Sequence, residues 1–288
     1  YDMIIMIMSN IVREATTVLL YHLILTNCYS ECLTLPHRSS QQPRQRMPLR
    51  QHGGHPELLD AITKFSPSLT MDACRVFHGR GGSYPGADHL TLDYYPPAFL
   101  LTSFRQLPEE ELGSYGDALE ELWDKNYKSA SVAVEEDGDP GDPTHAMPLA
   151  WVYQCRAERG NSTTRVMAGR ISEPHVVTEN DGRDKFLVHL ERGQNHGLFL
   201  DMAEGRAWLR RRCALGEAIS VLNLFSYTCA FSVAALNGGA GSVVNVDMSR
   251  GALKIGQRNH EINGLAQTGR ARFLGHDLFK SWGKLKRL

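Results

Sequence analysis

Between Val221 and Asp277 the chain alternates two kinds of segment that few architectures can accommodate together. The runs "AISVLNLF", "SVVNVD" and "ARFLGHD" are rich in apolar and β-branched residues, and each predicts a strand buried on both faces. Between them lie "AFSVAALNGG" and "RGALKIGQRNHEING", which read as helices. Strand and helix in alternation predict an α/β fold, a parallel sheet with helices on both faces. Crossovers of one hand bring the three strand ends to one edge, and a ligand of such a sheet lies beyond those carboxyl ends. Here that edge falls at the turns starting from Asn223, Asp247 and Asp277.

The preceding sequence has a different texture. "RVF", "HLTLDY" and "AFLLTSF" are short β-type runs punctuated by Gly-Gly, Tyr-Pro-Gly and Pro-Pro, which predicts antiparallel strands joined by turns. "PEEELGSYGDALEELWDKNY" opens with Pro and three acids, as helix N-termini do, and two more strands are expected at "ASVAVEE" and "AWVYQCRAE" around the turn "EDGDPGDP". Residues 71–180 thus read as a small α+β domain. Residues 181–288, with a hairpin signal at Asp181-Gly182, read as the N-terminal half of the parallel-sheet domain. Residues 1–60 read as a poorly ordered segment ending in the polar linker "SSQQPRQRMPLRQHGGHP".

Charge is unevenly distributed although the whole chain carries only -1. Residues 61–182 are net acidic by 9 and residues 183–288 net basic by 8, which points polyanion contact to the C-terminal part alone. Arg210, Arg211 and Arg212 also suit a helix C-terminus, where cations complement the dipole. The six cysteines show no repeated pair spacing, so neither a disulfide framework nor a metal site is expected, and reduced thiols suit an intracellular setting, cytoplasmic or organellar. "MIIMIM" and "VLLYHLIL" are each too short to span a bilayer, which argues against a membrane protein.

The first turn, "NLFSYTCA", lacks the G-x-G-x-x-G pattern that a dinucleotide pyrophosphate needs for close backbone approach, so NAD and FAD are disfavoured. A ligand with a ribose and no phosphate escapes that demand. "LNLFSYT", "FSVAALNGGA", "VVNVDMSRGAL" and "NHEINGL", with "GQNHGLFLDM" and "RVFHGRGGSYPGADHLTLDYY" upstream, resemble segments of class I S-adenosylmethionine-dependent methyltransferases, specifically the bacterial large-subunit (23S) ribosomal RNA group. The resemblance covers roughly Asp72 to the end. It implies a Rossmann-like sheet represented by its first three parallel strands, S-adenosyl-L-methionine as cofactor and RNA, rRNA in particular, as acceptor.

Carried over by position, the resemblance implies that Asp247 accepts the ribose hydroxyls, Met248 flanks the adenine and Asp277 receives the adenine amino group. Asn223, Phe225, Ser226 and Tyr227 would line the methionine part, with Phe199 and Asp201 closing it. Asp247 and Asp277 could equally cap helices, and Phe199, Phe225 and Tyr227 could be core. The family's Asp-Pro-Pro-type acceptor motif does not occur before "FKSWGKLKRL", so the chain reads as C-terminally truncated, no catalytic residue is assigned, and "VLNLF" is expected to be an open apolar edge. Cys229, in the first turn, reads as a packing or cofactor-lining residue rather than a nucleophile. The alternatives are a non-catalytic RNA-binding remnant and, more remotely, a nicotinamide-dependent oxidoreductase.

Overall fold

In the computed structural model the described residues are 3–7, 53–69, 71–128, 148–156, 162–192, 194–215 and 219–280. The expected strand "ASVAVEE", its acidic turn and most of the polar linker lie outside them.

The apolar runs of the middle region assemble one mixed sheet. Its strands are β2 (Cys74–His78), β3 (Leu90–Tyr95), β4 (Ala98–Ser103), β5 (Ala150–Arg156) and β6 (Ser162–Ala168), in that spatial order. β2 to β4 pair antiparallel as expected, whereas β5 pairs parallel with β4. A parallel neighbour requires a long crossover, and this one includes α2 (Glu109–Trp123). Every residue of β3 and β4 is buried. Phe99 stands at the centre of the core, its ring 4.6 Å from Tyr94, 6.0 Å from Phe65 and 6.4 Å from Trp123.

The domain limits differ from the sequence expectation at both ends. Helix α1 (Pro56–Lys64) buries Leu58 and Ile62 in the same core, so this unit begins before residue 71. At the other end β7 (His175–Glu179) and β8 (Asp184–Val188) form a hairpin across the expected boundary. Asn180, Asp181 and Gly182 supply its positive φ values, and Asp72 accepts hydrogen bonds from Asp181 N (2.7 Å) and Gly182 N (3.0 Å). The hairpin therefore belongs to both parts.

The second sheet is wholly parallel, with order β1 (Met3–Ile7), β9 (Ser220–Leu224), β10 (Ser242–Asp247) and β11 (Ala271–Gly275). Two expectations are corrected here. The "VLNLF" edge is not open: Met3–Ile7, placed by sequence in a poorly ordered segment, pairs with it from Met3↔Ser220 to Ile7↔Leu224. An apolar edge leaves a row of unpaired backbone donors and acceptors, and a second apolar run satisfies them. Among the described residues, the helices that follow β9 and β10 lie on one face of the sheet rather than on both. The strand order makes both crossovers run in one direction, so α4 (Ala230–Asn237) and α5 (Arg250–Ile262) share a face and meet where Ser232 Oγ lies 2.9 Å from His260 Nε2. Leu222 and Val244 are only half-buried.

Candidate functional site

The carboxyl ends of β9, β10 and β11 are stitched into one edge by backbone hydrogen bonds. Ser226 N donates to Val246 O (3.0 Å) and His276 N to Asp247 O (3.0 Å). The turn after β9 takes positive φ at three residues with side chains: Phe225 (52°), Tyr227 (48°) and Cys229 (61°). Each such residue costs roughly 1–3 kcal/mol unless its surroundings hold it, and such strain clusters at ligand clamps. What holds this turn is visible. Asp247 Oδ2 accepts the Tyr227 N–H at 2.8 Å, and Asn259 Nδ2 donates to Thr228 O at 2.9 Å.

Asp247 is the pivot of the edge. Its Oδ1 accepts the Ser249 N–H at 2.8 Å, so each carboxylate oxygen carries one backbone donor and retains capacity for another. It is not a helix cap: Ser249 caps α5, accepting from Ala252 N at 3.2 Å. The neighbouring Met248 is 74% exposed. Asp277 Oδ1 accepts from Phe279 N (3.0 Å) and Lys280 N (3.3 Å), the capping geometry. Phe225 faces Phe279 at 6.1 Å, and Phe279 is itself exposed.

Tyr227 and Phe199 meet with rings 5.2 Å apart. Burial pushes the Tyr227 phenol up to about 12, and its protonated hydroxyl donates to Asn195 O at 2.7 Å. Asp201 is exposed on the short 3-10 turn Leu200–Met202. Two more of the sequence-predicted residues are buried at these strand ends. Ser226 is buried, and so is Asn223, whose Nδ2 donates to Asn245 Oδ1 at 2.9 Å while its Oδ1 has no partner. Asn245 continues to Ser232 Oγ (3.0 Å), so a polar chain runs beneath the strand ends to His260. Cys229 is fully buried, and burial raises its thiol to about 12, which leaves no thiolate for nucleophilic attack at neutral pH.

Several positioning residues were not evident from sequence. Arg206, on α3 (Ala203–Ala214), is 1% exposed, forms a two-point pair with Glu179 and donates to Phe199 O at 2.9 Å. Thr228 Oγ1 donates to Gly197 O. These bonds fix the lead-in segment 195–201 against the first turn. Arg210, one of the three arginines weighed for polyanion contact, is taken up by the fully buried Asp184. Among the described residues no group of His, Cys, Asp and Glu could hold a metal, and no helix is long and apolar enough to cross a membrane.

The family described as S-adenosylmethionine-dependent methyltransferase matches residues 74–288. Ribosomal RNA large subunit methyltransferase I of Tolumonas auensis is 37% identical over 217 residues, 74% of this chain and 47% of that protein. Its counterpart in Aeromonas hydrophila subsp. hydrophila is 42% identical over 117 residues, 41% of this chain and 28% of that one. The chain thus spans about half the length of these relatives, or less. A solved protein of Streptococcus mutans, described as a SAM-dependent methyltransferase, shares the fold with a TM-score of 0.58 at 21% identity, covering 84% of this chain and 57% of that one.

Proposed function

This chain belongs to the S-adenosylmethionine-dependent methyltransferase family, and we propose that its parallel sheet holds the cofactor at the ends of β9, β10 and β11 for methyl transfer to RNA. The observation that carries the reading is the state of Asp247. A carboxylate whose two oxygens each hold one backbone N–H, and each keep a free lone pair, suits a pair of vicinal ribose hydroxyls. The left-handed turn beside it is held by Asp247 itself through the Tyr227 N–H, and a cofactor without phosphates does not require the close backbone approach that glycines would give.

When bound, S-adenosylmethionine supplies a sulfonium methyl group as electrophile. The chain's own part is positional. Asp247 fixes the ribose, Met248 and the Phe225–Phe279 pair offer apolar surface for the adenine, and Asp277 turns Oδ2, 3.6 Å from the exposed Lys280 Nζ, to the adenine amino group. Phe199, Asp201 and Tyr227 bound the methionine side, with Ser226 and Asn223 beneath. Holding an acceptor in line with a reactive group can account for several kcal/mol of a barrier, about 7–11 in the best intramolecular cases, so a site built of orienting residues is chemically sufficient for alkyl transfer. RNA as acceptor, rRNA in particular, is supported by the relatives, whose names specify large-subunit ribosomal RNA.

Calorimetric titration of the chain with S-adenosylhomocysteine tests the assignment. Asp247→Ala should weaken binding at least about tenfold, since hydrogen bonds to a charged group contribute roughly 1.5–3 kcal/mol each. Equal affinity in a folded variant would remove Asp247 from the ribose role.

A further inference from the structure

We infer that the edge of the central sheet next to the lead-in segment is a phosphate clamp for the acceptor strand, in which Arg80 and Arg156 grip one backbone phosphodiester of single-stranded RNA. The inference rests on the methyltransferase reading above and adds to it the place where the acceptor is held.

Topology brings the parts together. β2, β4 and β5 run in the same direction, so Arg80, Phe104 and Arg156, lying just beyond or at their carboxyl ends, share one edge. The Arg80 guanidinium lies over the Phe104 ring at 4.4 Å from its centroid, and that of Arg156 is 6.0 Å from the same centroid. One aromatic ring therefore sets the spacing of two cations. Arg80 is exposed, on a loop with positive φ at Gly81 (97°) and Gly82 (79°).

Two of the three arginines at this edge have no carboxylate bonded to them among the described residues. Arg75 is consumed by Asp93, bound at two points of 2.7 and 3.2 Å. Arg80 and Arg156 make no ion pair among the described residues. Arg156 is half-buried and held only by neutral acceptors: Nε donates to Gln154 Oε1 at 2.5 Å, and Nη2 lies 3.4 Å from His196 Nε2. Burial lowers His196 to about 4, and its Nδ1 donates to His189 O at 3.0 Å, so the neutral ring turns an acceptor nitrogen toward the arginine. Taking a guanidinium partly out of water without an anion bonded to it is costly: burial is the main effect that lowers the pKa of Arg156, Arg80 and Arg75 add to it, and Tyr95 and Asp93, the latter already bound to Arg75, offset part of it. Asp201 is the other acid near this edge; it is exposed and acts on Arg75 and His78. The edge is thus prepared for an anion from outside.

S-adenosylmethionine carries no phosphate, so the cofactor is not that anion. Arg156 Nη2 lies 3.4 Å from His196 Nε2, and the neighbouring Asn195 O accepts the Tyr227 hydroxyl at 2.7 Å, so the clamp adjoins the cofactor turn on the side where an acceptor has to arrive. An enzyme that modifies a base must take it out of a stack, and single-stranded RNA is gripped through its phosphates and by guanidinium planes.

The test is fluorescence anisotropy of a short, labelled, mixed-sequence single-stranded RNA with the full chain at several salt concentrations. Arg80→Ala, an exposed site, should weaken binding about tenfold and lower the slope of log affinity on log salt by about 0.7, the value for one phosphate contact on a single strand. Arg156→Gln should do the same, while Arg80→Lys restores part of the loss and Arg165→Ala, at an exposed pair with Glu109, changes nothing. Titration with S-adenosylhomocysteine should be unaffected by Arg80→Ala. RNA binding that is undiminished in both Arg80→Ala and Arg156→Gln would overturn the clamp and leave the methyltransferase reading intact. Failure of the unaltered chain to bind RNA while it binds S-adenosylhomocysteine would overturn the RNA reading and the clamp with it.

Discussion

The two sheets of this molecule fill their interiors differently. The central sheet is packed with rings: Tyr94, Phe99, Trp123 and Tyr153 are all 3% exposed or less. Beneath the parallel sheet runs a chain of buried polar side chains, Asn223, Asn245, Ser232 and His260, beside small residues such as Ala234 and Ala235. An aromatic interior gives a stiff support whose edge can carry charge. A polar interior costs stability unless every group is paired, and it is found here directly under the strand ends where a ligand would sit. The comparison teaches where each part spends its burial: on rigidity in one sheet, on holding a strained turn in the other.

The largest expected effect lies in the aromatic interior. Phe99→Ala removes the ring at the centre of that core and should cost about 3–5 kcal/mol, read as a drop in the urea midpoint. A loss below about 1 kcal/mol would break the contrast, because it would mean that the rings are not what holds the central sheet.

How much of this was legible in the sequence follows from the same contrast. β3 and β4, buried along their whole length, and β9 and β10, whose apolar runs close on polar turns, could be read directly from their β-branched and aromatic residues. β6 could not: "STTRVMA" is half-exposed and polar, and only pairing with β5 makes it a strand. The pairing of Met3–Ile7 with β9 joins opposite ends of the chain and leaves no local trace. In the site, Asp247 was visible as an acid closing a strand. The positive φ values at Phe225, Tyr227 and Cys229 were not, since the residue types that signal them are Gly and Asn, and here tertiary hydrogen bonds impose them. Summed charge and side-chain pairing point to different places. The sum points polyanion contact to the basic C-terminal part, where Arg210 is taken up by Asp184, whereas Arg80 and Arg156 of the net acidic middle region share the Phe104 ring with no ion pair among the described residues.

Acid should separate the two interiors next. His196 is held neutral with a pKa of about 4, chiefly by burial, against an ordinary value of about 6.5. Between those values the unfolded chain binds the extra proton, so the stabilisation is complete above about 6.5 and is lost as pH falls toward 4, by at most about 3 kcal/mol. His260, lowered by burial at the end of the polar chain, acts in the same direction. Urea midpoints measured across this window should fall steadily, and His196→Gln should flatten the dependence. The Phe99→Ala variant should keep the full pH slope, because no titrating group is altered. An unchanged slope in His196→Gln would place the acid sensitivity elsewhere.

The smallest effect probes the fit between the strained turn and the helix behind it. A Cβ built on Gly256 of α5 would lie 2.4 Å from Cys229 Sγ and 3.0 Å from its Cβ, so α5 can approach the turn only because it carries no side chain there. Gly256→Ala gains helix propensity yet forces the two apart, and overpacking of this kind costs about 1–3 kcal/mol. The shortest contact is with the thiol, while the Cys229 Cβ and the Thr228 backbone at 3.3 Å remain, so Cys229→Ala in the same chain should recover part of that loss, a coupling that distant sites do not show. Because Cys229 occupies a left-handed position, separation of turn and helix should also disturb Tyr227 and its bond to Asp247. S-adenosylhomocysteine affinity should therefore fall in Gly256→Ala and return in part in the double variant. Stability lost without any change in that affinity would show that the turn holds its shape independently of α5, and that the polar interior serves the fold rather than the site.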